Sequence, residues 1–518
     1  MENIKILWAD DEIDLLKPHI LFLEKKGYDV ATANNGDEAY DLVTSEHFDI
    51  IFLDENMPGL TGLETLEKIK AIYPNLPVVM ITKSEEEHIM EDAIGGKISD
   101  YLIKPVNPNQ ILLSIKKNLE NKKLVSEKAT HTYQKEFRNI GMELSNRLHH
   151  SEWADVYKKL AHWELELEQS SDDGVVEILK MQKDEANSVF TKFYENHYID
   201  WVNNNDEDKP VLSHTLFRDK IFPILDRSDH PTFVLLIDNL RYDQWKAIQP
   251  KIEEYFRVEN DDIFYSILPT TTQYARNALF SGLMPLEIQR KYPKYWTSES
   301  DEGTKNQFEG ELLDELLKRF GRTERFTYNK ILNLQAGRKL VENLPSLLNY
   351  DLNVIVYNFV DLLSHARTEM EIIRELADDE PAYRSLMLSW FEHSSLFDII
   401  KYLSEKKVNL LITTDHGSVK VQNPVRILGD RNTNTNLRYK FGKSLNYNKK
   451  DVFEVKNPDH IFMPRANVST AYVFCKKNDF FAYPNNYNYY VNYYRNTFQH
   501  GGISMEEILI PFIELSPK

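Results

Sequence analysis

One cysteine, Cys475, stands alone among 518 residues. A lone cysteine excludes an intramolecular disulfide and a Cys-based zinc site, so any metal must be held by Asp and His. No apolar run approaches the ~18 residues that a membrane span requires. The N-terminus, MENIKILWADDE, carries carboxylates where a signal peptide needs a basic and then an apolar stretch, and the protein is expected to be cytoplasmic. Excess positive charge is also missing. With 62 Lys and Arg against 81 Asp and Glu, the net charge of -19 disfavours nonspecific nucleic-acid binding by the whole chain. No helix-turn-helix segment with a basic recognition helix stands out, which argues against a promoter-binding output. What is present is 42% hydrophobic and 28% charged. The length suggests roughly three domains at ~150 residues each.

Three apolar runs far apart in the chain lead to aspartates: FVLLI before Asp238, VIVYNFV before Asp361 and VNLLITT before Asp415. Two of these aspartates bring a histidine, in Asp361-Leu-Leu-Ser-His365 and Asp415-His416-Gly417, and His500-Gly501-Gly502 follows near the C-terminus. Ligands of open α/β sheets bind outside the carboxyl ends of the strands, so these residues predict a metal site assembled from several strand ends.

The first ~120 residues alternate strand and helix patterns. IKILWA, YDVATA, DIIFLD, PVVMIT and DYLIKP read as strands, with helical segments between them, including DLLKPHILFLEKKG stopped at Gly27. Near-continuous apolar strands in repeated βα units imply a parallel sheet covered on both faces. Asp10, Asp11, Asp54, Thr82 and Lys104 fall at the strand ends. Carboxylates converging there repel one another unless a hard cation sits among them, which suits Mg²⁺. A lysine and a threonine hydroxyl opposite could bind phosphoryl oxygens.

This set resembles the receiver domain of two-component response regulators. The resemblance rests on Asp10-Asp11, Asp54 within LDENMPG, Thr82 and Lys104-Pro105, with Tyr101 at the aromatic switch position. It implies a flavodoxin-like fold over residues 1–120, Asp54 as phosphoacceptor and a sensor histidine kinase as partner. By the same resemblance, Asp10, Asp11, Asp54 and the Asn56 carbonyl surround Mg²⁺, and phosphorylation yields a homodimer through the face that holds Tyr101.

Residues 121–205 lose strand runs and show helical spacing instead. Trp153, Val156, Tyr157, Leu160, Trp163 and Leu167 make one apolar stripe, and Val175, Ile178, Leu179, Ala186, Val189, Phe190 and Phe193 another. A bundle of about three helices is expected. His149, His150 and His162 have no carboxylate at useful sequence spacing and read as surface or packing residues. The polar stretch ending in Pro210 marks a boundary.

From about 206 to 518 the chain offers Asp238 and then Pro269-Thr270-Thr271-Thr272, where a hydroxyl opening a helix sits beside free N–H groups. An isolated Thr-Thr-Thr would be read as capping alone. Together with Asp361, His365, Asp415, His416 and His500, however, this ordered set resembles the alkaline phosphatase superfamily and most closely its PglZ-type branch. The whole architecture is similar to that of PorX-like response regulators.

The resemblance implies an alkaline-phosphatase-like α/β domain with two Zn²⁺. Asp238, the nucleophile, Asp415 and His416 would hold one ion, and Asp361, His365 and His500 the other. Superfamily spacing back from Gly282 selects Thr272 as nucleophile, with Thr271 the alternative. A sulfatase-type Cys/Ser-x-Pro-x-Arg motif is absent, so sulfate is disfavoured.

Between Ser418 and His500 lie 13 Lys and Arg against 5 Asp and Glu, with sixteen Phe and Tyr interleaved. That pattern fits either a single-stranded oligonucleotide groove or a Tyr-rich core hairpin with a solvated basic face. The family resemblance favours phosphodiesterase activity on cyclic and linear oligonucleotides, in regulation of type IX secretion. The alternative is a phosphorylation-dependent dimeric scaffold that docks a sigma factor, with catalysis secondary. No membrane insertion is expected.

Overall fold

A computed structural model describes the chain except for residues 1–3, 74–75, 83–97, 169–172, 205–207, 300–302, 378, 431–432 and 466. The helix expected between the fourth and fifth strands, and part of the expected boundary before Pro210, lie outside the described residues. The chain divides into two compact units, Met1–Thr132 and Tyr133–Lys518.

In the first unit, β1 (Lys5–Ala9), β2 (Asp29–Ala33), β3 (Ile50–Asp54), β4 (Val78–Thr82) and β5 (Asp100–Ile103) form one sheet in the order β2-β1-β3-β4-β5. All its pairings are parallel. Residues alternate between the two faces. Leu7, Ala9, Ile51, Leu53, Val78 and Met80 pack on one side, and Ile6, Trp8, Ile50, Phe52, Val79 and Ile81 on the other. Burial on both faces explains why β1, β3 and β4 read as unbroken apolar runs, whereas the edge strands β2 and β5 are only partly buried. The helix Gly62–Ile72 starts with a reciprocal cap, Thr61 accepting from the Glu64 N–H while Glu64 accepts from the Thr61 N–H.

The second unit opens with helical residues that include Tyr133–Leu144, His150–Leu167 and Asp173–Val202. The first expected stripe is buried throughout. Of the second, Val175, Leu179, Ala186 and Phe190 are buried, Val189 and Phe193 are half-buried and Ile178 is exposed, and rings such as Trp153 and Phe190, 5.3 Å apart between centroids, hold the last two helices together. Beyond them lies a six-stranded sheet. Its strands are β6 (Thr232–Ile237), β7 (Phe256–Tyr265), β8 (Phe326–Ile331), β9 (Leu352–Tyr357), β10 (Asn409–Thr413) and the C-terminal strand Leu509–Pro517. The C-terminal strand lies between β7 and β10, and β6, β9 and β8 follow on the far side of β10. Strands β10, β6, β9 and β8 pair in parallel, whereas the C-terminal strand is antiparallel to both neighbours. Three parallel strands, β6, β9 and β10, therefore point their carboxyl ends to one side of the sheet.

Two details differ from the strand-end expectation. Only Asp238 directly follows its strand. Asp361 sits on the first turn of the helix Phe359–Glu369, four residues beyond β9, and Asp415 lies two residues beyond β10. Asn358 N-terminal to that helix bends the chain out of the sheet, so the apolar run VIVYNFV spans a strand end and a helix start.

Candidate metal centre

Asp238, Asp415 and His416 bring one ligand atom each within 4.8 Å of one another, and Asp361, His365 and His500 do the same. These are the two groups that the family resemblance implies. They adjoin: the His416 and His500 rings stack at 4.3 Å. His365 shares a helix face with Asp361, its Nε2 3.6 Å from the carboxylate, while His500 Nε2 reaches the other Asp361 oxygen at 3.5 Å.

Backbone carbonyls fix both buried imidazoles. His416 Nδ1 lies 3.1 Å from the Gly417 oxygen, and His500 Nδ1 lies 3.2 Å from the Thr270 oxygen. A carbonyl can only accept, so each Nδ1 carries the proton and each Nε2 keeps its lone pair on the side of the carboxylates, free to accept a proton or to ligate a cation held between them. Burial holds both imidazoles well below their ordinary pKa, at about 4, so they are neutral near pH 7. Asp415 is pushed up to about 7, first by burial and then, against the pull of Arg276, by Asp238. Asp361 is also raised, by burial and by Asp238.

The glycines of these motifs have steric causes. A Cβ on Gly417 would stand 2.0 Å from the Glu506 carbonyl, and Gly501 has φ +121°, open to glycine. Both permit the chain to pass close beside the ligand atoms.

Thr272 begins the helical segment after the threonine run. Its Oγ1 lies 3.4 Å from Asp238 Oδ1 and 3.2 Å from His416 Nε2. Thr271 Oγ1 is buried without a hydrogen-bond partner, and Thr270 Oγ1 accepts from the Gly501 N–H at 2.9 Å and donates to the Gly502 carbonyl. Of the three hydroxyls, only that of Thr272 faces the aspartates and histidines.

The sequence pattern assigned no role to Arg276. Fully buried, its guanidinium pairs with Asp238, donates from Nε to Asp415 at 3.0 Å and lies 3.6 Å from Glu309. It thus ties together the two carboxylates that flank Thr272. An arginine inside the apolar run YARNALF, four residues after Thr272, was the available signal.

A donor set of three carboxylates and three imidazoles with converging Nε2 atoms matches the N and O ligands zinc takes. Three carboxylates meet one guanidinium here, and this negative excess fits a site built for dications. Above it opens a cavity of about 1310 Å³ lined by Thr272, Asp361, His365 and His500 together with Lys305, Lys443, Arg465, Tyr439, Tyr493 and Tyr494.

The basic, aromatic segment differs from the expected Tyr-rich hairpin with a solvated basic face: some of its cations are buried and others line the cavity. Arg438 is buried against Glu507 at 2.5 Å and Lys440 is buried, its pKa lowered by burial to about 8, so neither is a free surface cation. Lys443 and Arg465 reach the cavity instead. Tyr487–Tyr494 forms a helix rather than a hairpin, presenting Tyr493 and Tyr494 to the cavity.

In the receiver unit, Asp10, Asp11 and Asp54 bring ligand atoms within 4.8 Å of one another. Lys104 Nζ bridges Asp10 at 3.0 Å and Asp54 at 2.8 Å. Burial raises Asp54, offset in part by Lys104. The Thr82 hydroxyl, at the end of β4, donates to Glu55. Asn56 lies exposed two residues after Asp54, and Tyr101 lies partly exposed on β5.

His149 and His150, expected to be surface or packing residues, meet a carboxylate that is distant in sequence, Asp208, at 2.7 and 3.5 Å from their Nε2 atoms. Sequence spacing hid it because Asp208 arrives from the far end of the helical region. His149 also caps the helix His150–Leu167.

Comparisons with known proteins agree with this division. Residues 6–116 match the response regulator receiver domain, 123–202 the PorX response regulator linker domain, and 216–515 the BREX system PglZ alkaline phosphatase-like domain. The protein is a response regulator whose output module is alkaline phosphatase-like. It belongs to the PglZ alkaline phosphatase-like family, in the PorX-like arrangement of receiver, linker and PglZ domain.

Relatives outside this arrangement share the receiver. The transcriptional regulatory protein ZraR of Klebsiella oxytoca is 32% identical over 140 residues, covering 27% of this chain and 32% of that protein. The alginate biosynthesis transcriptional regulatory protein AlgB of Pseudomonas syringae is 37% identical over 120 residues, covering 23% and 27%. The chain therefore spans only about a third of the length of these relatives or less. A CheY-like receiver domain protein from Methanospirillum hungatei matches with 28% identity and a TM-score of 0.22, covering 23% of this chain and 96% of that one. The response regulator TrrA of Thermotoga maritima, solved with Mg²⁺ and BeF, has 29% identity and a TM-score of 0.21, covering 22% and 99%. A receiver implies a sensor kinase partner. Among the described residues, no helix is long and apolar enough to cross a membrane.

Proposed function

We propose that the protein is a phosphorylation-controlled, two-zinc phosphodiesterase that acts on cyclic and linear oligonucleotides. The observation that carries this reading is the placement of the Thr272 hydroxyl within 3.4 Å of Asp238 and 3.2 Å of His416, beside the second ligand group. Asp238, Thr272, Asp415 and His416 would hold one zinc, and Asp361, His365 and His500 the other. Bound there, zinc would supply Lewis acidity toward the nucleophile and the leaving oxygen. Thr272 Oγ attacks phosphorus as its proton is released to solvent, a P–O bond to Thr272 forms, and the bond to the leaving alkoxide breaks, the alkoxide taking up a proton from solvent. Water then cleaves the phosphothreonine and restores the hydroxyl. Arg276 keeps Asp238 and Asp415 aligned on Thr272 during both steps.

The cavity supports a substrate larger than a simple phosphomonoester. Lys305, Lys443 and Arg465 offer charge to further phosphates, and Tyr439, Tyr493 and Tyr494 offer aromatic faces to bases. A turnover screen of linear and cyclic oligonucleotides, with and without phosphorylation of the receiver, tests this reading. Hydrolysis of oligonucleotides that rises on phosphorylation is expected; turnover of monoesters alone would contradict it. Type IX secretion is the process that the PorX-like arrangement suggests for this activity.

In the receiver, Asp54 is the proposed phosphoacceptor, with Mg²⁺ among Asp10, Asp11, Asp54 and the Asn56 carbonyl. Lys104 would bind a phosphoryl oxygen, and Thr82 and Tyr101 would report the change. Beryllofluoride with Mg²⁺ is expected to shift the chain toward a dimer in sedimentation. The same shift in Asp54→Ala would remove the assignment.

A further inference from the structure

The linker helix Asp173–Val202 touches the backbone on both sides of the metal centre. Asn187, Tyr194 and Tyr198, spaced seven and four residues apart, fall on one buried face of it. The Tyr194 hydroxyl donates to the Ser266 carbonyl at 3.2 Å, and the Tyr198 hydroxyl accepts from the Leu268 N–H at 2.9 Å. Ser266–Leu268 leads straight into Thr270–Thr272, and the Ser266 hydroxyl donates to the Asp415 carbonyl at 2.7 Å. Asn187 grips the other side. Its Nδ2 donates to the Glu506 carboxylate at 3.0 Å, and its Oδ1 accepts from the Met505 N–H at 2.8 Å. That turn abuts the metal centre twice: the Glu506 carbonyl closes on Gly417, and Glu507 accepts from the Gly502 N–H at 2.9 Å, two residues from His500.

We propose that Asn187, Tyr194 and Tyr198 are positioning residues, through which the linker helix sets Thr272 and His500 relative to each other. The two segments they hold come from opposite sides of the site, more than 200 residues apart in sequence, and each grip uses fully directional hydrogen bonds in a buried setting. The same helix carries Gln182, which accepts from the Tyr133 hydroxyl at 3.1 Å and donates to the Phe137 carbonyl at 2.9 Å. This inference rests on the two-metal reading above.

The test uses the full-length chain loaded with zinc, or with Co²⁺ in its place. Tyr198→Phe removes the acceptor for the Leu268 N–H, and Asn187→Ala frees the turn before the C-terminal strand. With bis-p-nitrophenyl phosphate, kcat is expected to fall roughly 10- to 100-fold with KM little changed, as a misplaced nucleophile requires. The visible spectrum of the Co²⁺ protein should shift in Asn187→Ala, because His500 moves. Should Tyr198→Phe fail to fold, Tyr194→Phe carries the same expectation. Wild-type kcat in the folded variants, or a rise in KM alone, would overturn the proposal. Should the wild-type chain leave the diester intact, the phosphodiesterase reading fails, and the Co²⁺ spectrum still decides the positioning role: a shift in Asn187→Ala supports it and an unchanged spectrum overturns it.

Discussion

Thr272→Val is expected to abolish turnover of bis-p-nitrophenyl phosphate, with a loss on the order of 10⁴-fold or more, as for other nucleophile deletions. Valine keeps the shape of threonine and removes only the oxygen, so the fold should persist. In the proposed assignment Asp238, Asp415 and His416 would remain for one ion and Asp361, His365 and His500 for the other, so zinc content should stay near two per chain. Thr271→Val should leave turnover largely intact, because the Thr271 hydroxyl makes no hydrogen bond whereas that of Thr272 contacts Asp238 and His416. Full activity in Thr272→Val would move the nucleophile to Thr271 or to water.

Arg276→Met is expected to destabilise the metal-free protein by about 3–5 kcal/mol, the usual effect of removing one partner from a buried ionic cluster. The guanidinium is the cation shared by Asp238 and Asp415, and its loss leaves two buried carboxylates facing each other. Zinc should restore much of that stability, because a dication beside Asp238 and Asp415 compensates the same charge. Denaturant unfolding of the variant with and without a chelator measures both parts. A metal-free variant as stable as the wild type would show that Arg276 does not balance these carboxylates.

The receiver was legible almost residue by residue. Its central strands β1, β3 and β4 are buried on both faces, so their apolar runs are continuous, and Asp10, Asp54 and Thr82 end them where the chain leaves the sheet. The ligand groups of the output domain were legible for a similar reason, although Asp361 belongs to a helix rather than a strand end. Hydropathy alone cannot separate those cases, since VIVYNFV is apolar through the turn.

Three-dimensional pairings were harder to read. Arg276 looked like part of a helix, because nothing local shows that its partners, Asp238 and Asp415, lie 38 and 139 residues away. Asp208 reaches His149 and His150 only through packing of the helical region. The Tyr-rich run gave no sign of which rings would face the cavity: Tyr489 and Tyr493 stack on one helix face, yet only Tyr493 lines the cavity while Tyr489 stays exposed.

The central claim is that two zinc ions occupy adjacent ligand groups and that catalysis depends on them. Metal analysis of the purified chain, followed by chelation and an assay of bis-p-nitrophenyl phosphate hydrolysis, tests it most directly. The account predicts close to two zinc per chain and loss of turnover as they are removed, with recovery on adding zinc back. Full diesterase activity in a zinc-free chain would contradict it.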